Sequence, residues 1–124
     1  MDKVVHFEIP FDDKKRATGF YSKIFGWRLQ DIPEMEYVMI TAAKTDKKHM
    51  VAEKGAINGG FFQRNDAAKT PIVVIGVKSI DETIRQVLAN GGKVVTPRQS
   101  IPNGSYARIA DTEGNVIGLA DSSQ

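Results

Sequence analysis

Cysteine is absent from the 124-residue chain. That excludes disulfides, thiolate nucleophiles, iron–sulfur clusters and Cys-type zinc sites. Histidine is scarce, with only His6 and His49. No Ser-His-Asp arrangement can be built on them without a nucleophile elbow. Long apolar runs are missing too. Ile72-Val73-Val74-Ile75 is the longest, far short of the ~20 residues that span a bilayer. The N-terminus, Met1-Asp2-Lys3-Val4, has neither the apolar core nor the cleavage site of a secretory signal. The expectation is a cytoplasmic protein with no membrane partner. Surplus charge is small: 17 Lys and Arg against 15 Asp and Glu, net +2. That is a weak footprint for nucleic acid, and the runs Lys14-Lys15-Arg16 and Lys47-Lys48 read as solvated surface. No Gly-x-x-x-x-Gly-Lys phosphate loop is present. Asn103-Gly104-Ser105 reads as a turn rather than a glycosylation site.

What is present suits one domain with its own core: 41% hydrophobic and 26% charged residues over a single-domain length. Val4 to Ile9 reads as a strand, with Val5, Phe7 and Ile9 on one face and His6 and Glu8 on the other. Pro10 is expected to end it. Asp12 and Asp13 offer an N-cap for a helix over 14–25 whose apolar face is Ala17, Phe20, Tyr21, Ile24 and Phe25. Gly26 suits its C-cap. Strands over 27–32 and 37–42 follow, with a polar loop over 44–48 and a glycine-loosened strand over 57–63. Trp27 reads as core or rim packing.

The layout then repeats. Strand 72–77 precedes a capping box at Ser79-Ile80-Asp81-Glu82 and a helix that should bury Ile80, Thr83, Ile84, Val87 and Leu88. Asn90-Gly91-Gly92 ends the helix. Strands over 93–96, 105–110 and 116–120 complete the half, with a loop over 97–102 and a hairpin turn over 111–115. The pairs Asp13 and Ser79, Gly26 and Gly92, and Ile9 and Ile75 are each separated by 66 positions. The expected fold class is therefore α+β: two tandem βαβββ modules forming a curved, mostly antiparallel, eight-stranded cup. Module one is placed at 1–64, a linker at 65–70 and module two at 71–124, within one domain. Small molecules favour concavities between related units. Alternation sends His6 and Glu8 to that concavity from module one, and Ile72 and Val74 from module two. Val73, Ile75 and Val77 should lie under the second helix.

These stretches resemble the vicinal oxygen chelate superfamily, the glyoxalase, bleomycin-resistance and extradiol-dioxygenase group. The residues that carry the likeness are Val5-His6-Phe7-Glu8-Ile9-Pro10 with Asp12-Asp13, Phe20-Tyr21, Phe25-Gly26-Trp27 and Gly59-Gly60-Phe61-Phe62. To these is added Asp111-Thr112-Glu113-Gly114-Asn115, with Thr112 where the family usually has proline. The resemblance implies a homodimer, by side-by-side packing or exchange of modules. It also implies His and Glu metal ligands on the first and last strands of each module. Those positions fall on His6, on Gly59 or Gly60, on Ile72 and on Gly118. Only His6 can bind a metal, and a catalytic ion needs at least three protein ligands.

The expected function is therefore binding of a small, partly apolar ligand in the cup, with no cofactor. A divalent metal, and with it a lyase, isomerase or dioxygenase built on His6, is the alternative. A pocket that has lost ligand binding is a third possibility. The binding candidates are His6, Glu8, Tyr37, Asn58, Gly59, Ile72, Val74, Tyr106 and Arg108. His6 and Glu8 are the catalytic candidates, as a base and the group that orients or charges it. The plainer reading has His6 bonded to a neighbour and Glu8 paired with a cation such as Arg108. Tyr37 and Tyr106 open strands at matching places in the two halves and could frame a ligand or pack across strands. Arg108 would suit an anionic ligand if it faces the cup.

Overall fold

The computed structural model describes residues 1–47 and 52–122. His49 and the end of the expected loop at Lys48 lie outside the described residues. The elements are β1 (Lys3–Phe11), α1 (Lys14–Phe25), β2 (Arg28–Ile32), a 3-10 turn (Pro33–Met35), β3 (Tyr37–Thr41) and β4 (Asn58–Gln63). Then come β5 (Ile72–Gly76), α2 (Ile80–Ala89), β6 (Lys93–Ile101), β7 (Gly104–Ala110) and β8 (Val116–Asp121). The α+β class is as expected: each half is a βαβββ module, and the described residues form eight strands and two α-helices. The chain divides into two compact units. One comprises His6–Pro71; the other comprises Met1–Val5 with Ile72–Gln124.

In the His6–Pro71 unit the strand order is β2-β3-β4-β1. β2 and β4 flank β3 antiparallel, and β1 runs parallel to β4. The core is Phe11, Val38, Ile40 and Phe61, with Phe7, Ile9, Ala17, Tyr21, Trp27 and Leu29 packed against it. Trp27 stacks on Tyr21 at 5.2 Å between centroids, so it belongs to the core. Asp13 caps α1, accepting from the Arg16 amide at 2.9 Å, and Gly26 closes the helix at φ 70°, a left-handed conformation that favours glycine.

Two expectations in this unit are corrected. Pro10 does not end β1, which continues through Phe11. The Phe11 carbonyl faces β4, accepting from the Arg64 amide at 2.9 Å. By alternation the Pro10 nitrogen points away from that ladder, so its missing N–H costs no bond there. The helix face is also narrower than its periodicity predicts. Ala17 and Tyr21 pack inward, but Phe20, Ile24 and Phe25 are exposed by 56%, 59% and 57%. Tyr21 fills the space over Phe61 and Trp27, so its aromatic neighbours lean on it from the rim.

In the other unit the order is β5-β8-β7-β6, with β5 parallel to β8 and the remaining pairs antiparallel. Ile80, Ala107, Ile109 and Leu119 form its core, joined by Ile75, Val77, Ile84, Val87 and Ile117. Ser79 caps α2 through the Glu82 amide at 3.2 Å, while the Glu82 carboxylate pairs with Arg85 and does not close the box. Leu88, expected in the core, is exposed, because α2 seats on Ile80, Ile84 and Val87 and turns Leu88 past them. Val73 is exposed because α2 lies chiefly over β6, β7 and β8, and Val5 is likewise uncovered by a helix. Of the loop expected at 97–102, residues 97–101 are instead the second half of β6, and only Pro102 lies in the turn. Register irregularities between Val94 and Gln99 admit Pro97 into the strand. No described helix is long and apolar enough to cross a membrane.

Candidate functional site

The face of each sheet away from its helix carries the polar candidates. In the His6–Pro71 unit, ladder registers place His6 opposite Asn58, Glu8 opposite Gly60, and Gly60 opposite Met39. Tyr37, two residues before Met39, shares their face. The Tyr37 side chain crosses from β3 over β4 to β1. Its hydroxyl is 2.9 Å from Nε2 of His6, and which group donates depends on the imidazole tautomer. The ring tip rests on Gly60, where an added Cβ would fall directly on the Tyr37 hydroxyl and ring. Only a residue without a side chain lets the tyrosine reach β1.

His6 is half-buried and Glu8 is buried at 4% exposure. Burial pushes the His6 imidazole below its ordinary value, and the Glu8 charge opposes that shift in part. The uncharged ring therefore predominates at neutral pH, suited to a hydrogen bond with a phenol.

The other candidates resolve one by one. Asn58 accepts from the Ala42 and Ala43 amides at 2.9 and 2.8 Å, so its carbonyl fixes the end of β3. Gly59 faces the core, where an added Cβ would lie 2.5 Å from the Phe7 carbonyl and 2.6 Å from its ring. The close approaches at the glycine pair are thus made by side chains of the same unit. Met39, 37% exposed opposite Gly60, was not singled out in the sequence; its register alone reveals it.

In the second unit, Ile72 and Val74 are 2% and 1% exposed. Arg108 lies opposite Gly118, and Gly118 opposite Val74, so all three share a face with Tyr106. Arg108 donates from Nε to the Tyr106 hydroxyl at 2.9 Å, with its guanidinium 5.6 Å from that ring's centroid. An added Cβ on Gly118 would lie 2.9 Å from both the Tyr106 hydroxyl and a Val74 methyl. The same device therefore recurs: a tyrosine of the module's third strand covers a glycine of its last strand. Gly60 faces Glu8 and Gly118 faces Val74, and Glu8 and Val74 stand 66 positions apart. Gly60, rather than Gly59, is thus the counterpart of Gly118.

An open concavity of about 480 Å³ lies between α1 and β2, lined by Lys14, Lys15, Ser22, Leu29, Asp31 and Val38 among others. Val38 is core-facing, so this hollow is on the opposite face of β3 from Tyr37 and His6. Lys14 pairs there with Asp31 at 3.1 Å, and the side chains are largely solvated. None of the candidate residues read from the sequence lines it.

Two βαβββ units of this strand order define the class of glyoxalase-fold proteins. Residues 3–42 match the family model for the bleomycin resistance protein-like N-terminal region. A glyoxylase-like domain-containing protein of Didymella fabae is 30% identical over 118 residues, covering 88% of this chain and 85% of that one. The chain belongs to the glyoxalase-like family of the vicinal oxygen chelate superfamily.

Solved structures agree on the fold. Streptomyces coelicolor methylmalonyl-CoA epimerase superposes with a TM-score of 0.67 at 15% identity over 98% of both chains. A hypothetical protein of Bacillus halodurans gives 0.64 at 18% identity over 99% of this chain and 96% of that one. A Vibrio splendidus member of the glyoxalase, bleomycin resistance and dioxygenase superfamily gives 0.63 at 13% identity, covering 99% and 100%.

The family's chelating metal can be tested against these residues. Of the four strand positions, His6 has its Nε2 engaged by Tyr37, Gly60 and Gly118 lie under tyrosines, and Ile72 is apolar. Among the described residues no three of His, Cys, Asp or Glu converge. These side chains do not fit a catalytic divalent ion, which requires three protein ligands and an open position.

Proposed function

We propose that this chain is a glyoxalase-like binding protein that holds a small, partly apolar molecule without a catalytic metal. The molecule meets the sheet face of His6, Glu8, Tyr37 and Met39. One observation carries this reading: the Tyr37 ring occupies the carboxylate-ligand position above Gly60 and bonds His6. That face combines aromatic and thioether surface with an uncharged imidazole and a buried carboxyl group. Such a mixture suits a compact ligand with an apolar body and one or two polar atoms. Similarity to methylmalonyl-CoA epimerase, at 15% identity, supports the fold and brings no substrate with it.

Thermal shift against a panel of small aromatic and branched-chain carbonyl compounds tests the reading. A ligand selective for the native state at 100-fold over its Kd adds about 2.7 kcal/mol of stability. The expected result is a compound that raises the melting temperature of the wild type and fails to do so for Tyr37→Ala. A panel that shifts both proteins equally contradicts the assignment of this face. So does a shift that appears only with added divalent metal, which favours a metal-dependent enzyme.

A further inference from the structure

We propose that Tyr37, seated on Gly60, is the element that keeps His6 from serving as a metal ligand. The inference rests on the proposed metal-free face and assigns its cause to one side chain. Three observations in the His6–Pro71 unit converge on it. The Tyr37 hydroxyl stands 2.9 Å from the imidazole Nε2, so the nitrogen lone pair or proton at that position is committed. The ring covers Gly60, so a carboxylate could project from that position only by expelling it. Glu8 lies two residues along the same strand face as His6, in ladder register with Gly60, and its charge is felt at the imidazole. Side chains two apart on a strand face can converge on one ion. His6, Glu8 and a carboxylate at position 60 would therefore make the three-ligand set that the native residues lack.

Gly60 and Tyr37 act together in this account. Glycine alone would leave a gap over which a metal could reach His6 with water completing its shell. The ring closes the gap, and its hydroxyl satisfies the imidazole. The pair at Tyr106 and Gly118 blocks the matching position of the other unit in the same way, though there the hydroxyl is held by Arg108.

The experiment follows the His6 ring protons by NMR during titration with Co2+, whose paramagnetism shifts or broadens protons of any imidazole it binds. His49, the only other histidine, is replaced by Gln in every protein tested so that its signals and affinity drop out. In the otherwise native protein the His6 signals should stay unmoved. In Tyr37→Ala combined with Gly60→Glu they should shift, with Co2+ affinity raised at least about tenfold, as ligand-shell changes commonly give. Adding His6→Ala should abolish the gain. Tyr37→Phe keeps the ring on Gly60 but frees Nε2, so its response should be weaker than that of Tyr37→Ala.

Paramagnetic shifts of His6 in the native protein, or shifts in Tyr37→Phe as large as those in Tyr37→Ala, overturn the proposal. So does a folded double variant that binds no tighter than the native chain. If circular dichroism shows the double variant unfolded, Tyr37→Ala alone carries the test: His6-dependent Co2+ broadening supports the account and its absence refutes it. The readout is separate from the ligand panel, so failure to find a small-molecule ligand leaves this result standing on its own.

Discussion

Replacing Gly60 by alanine perturbs the site with a single methyl group. The backbone there is outside the left-handed region, so alanine meets no conformational strain. Its cost is steric, because the new Cβ falls on the Tyr37 ring tip and hydroxyl. Forcing a methyl into such a contact costs about 1–3 kcal/mol. Losing the Tyr37–His6 hydrogen bond adds about 0.5–1.5 kcal/mol. The reduced freedom of the unfolded chain returns about 0.4–1 kcal/mol. The net expectation is a loss of about 2 kcal/mol, or roughly 8 °C in melting temperature for a chain of this size. Urea denaturation with parallel thermal melts gives the number. Gly19→Ala in α1 is the internal control. It has open space around its Cβ, so it should stabilise by about 0.5–1 kcal/mol through helix propensity. Tyr37→Ala combined with Gly60→Ala should cost less than the two single losses added, since removing the Tyr37 ring removes the clash that the Gly60 methyl creates. A Gly60→Ala protein within about 0.5 kcal/mol of wild type, or strictly additive losses, would refute the reasoning.

Other perturbations have equally definite outcomes. The folded state depresses His6, so as pH falls below about 6.5 the unfolded chain takes up its proton first and stability declines until the folded imidazole also protonates. His6→Asn should flatten that part of the stability profile between neutral and mildly acid pH; an unchanged slope would contradict the burial argument. Glu8→Gln removes the charge that opposes desolvation, so the His6 midpoint followed by imidazole NMR should move further down; an upward movement would reverse the assignment. Ile80→Ala, at a fully buried position, should cost about 2–5 kcal/mol, whereas Leu88→Ala on the same helix, 56% exposed, should cost well under half as much. Equal losses would mean that the α2 packing face is misassigned.

Local chemistry made much of this fold legible. Asp13, Gly26 and Ser79 mark helix ends through interactions with near neighbours, and alternation along β1 separates His6 and Glu8 from Phe7 and Ile9 without knowledge of any partner. What escaped depends on neighbours distant in sequence. Pro10 is tolerated because of which way its nitrogen faces relative to β4, and Pro97 because β6 shifts register around it. Phe20 and Ile24 match a helix period, but Tyr21 claims the available core. The site is the clearest case. Tyr37, Gly60 and His6 meet through two ladders, one antiparallel and one parallel, whose registers cannot be read from a single sequence. The sequence identified the tyrosines as a matched pair and Gly59 and Gly60 as glycines that loosen their strand. Joining the two observations required the registers.

The central claim is that His6 works beside Tyr37 without a metal. Elemental analysis of the protein, purified without chelator and compared with His6→Ala, tests it most directly. The account predicts no stoichiometric transition metal in either protein. A stoichiometric metal in the wild type that is lost in His6→Ala would contradict it.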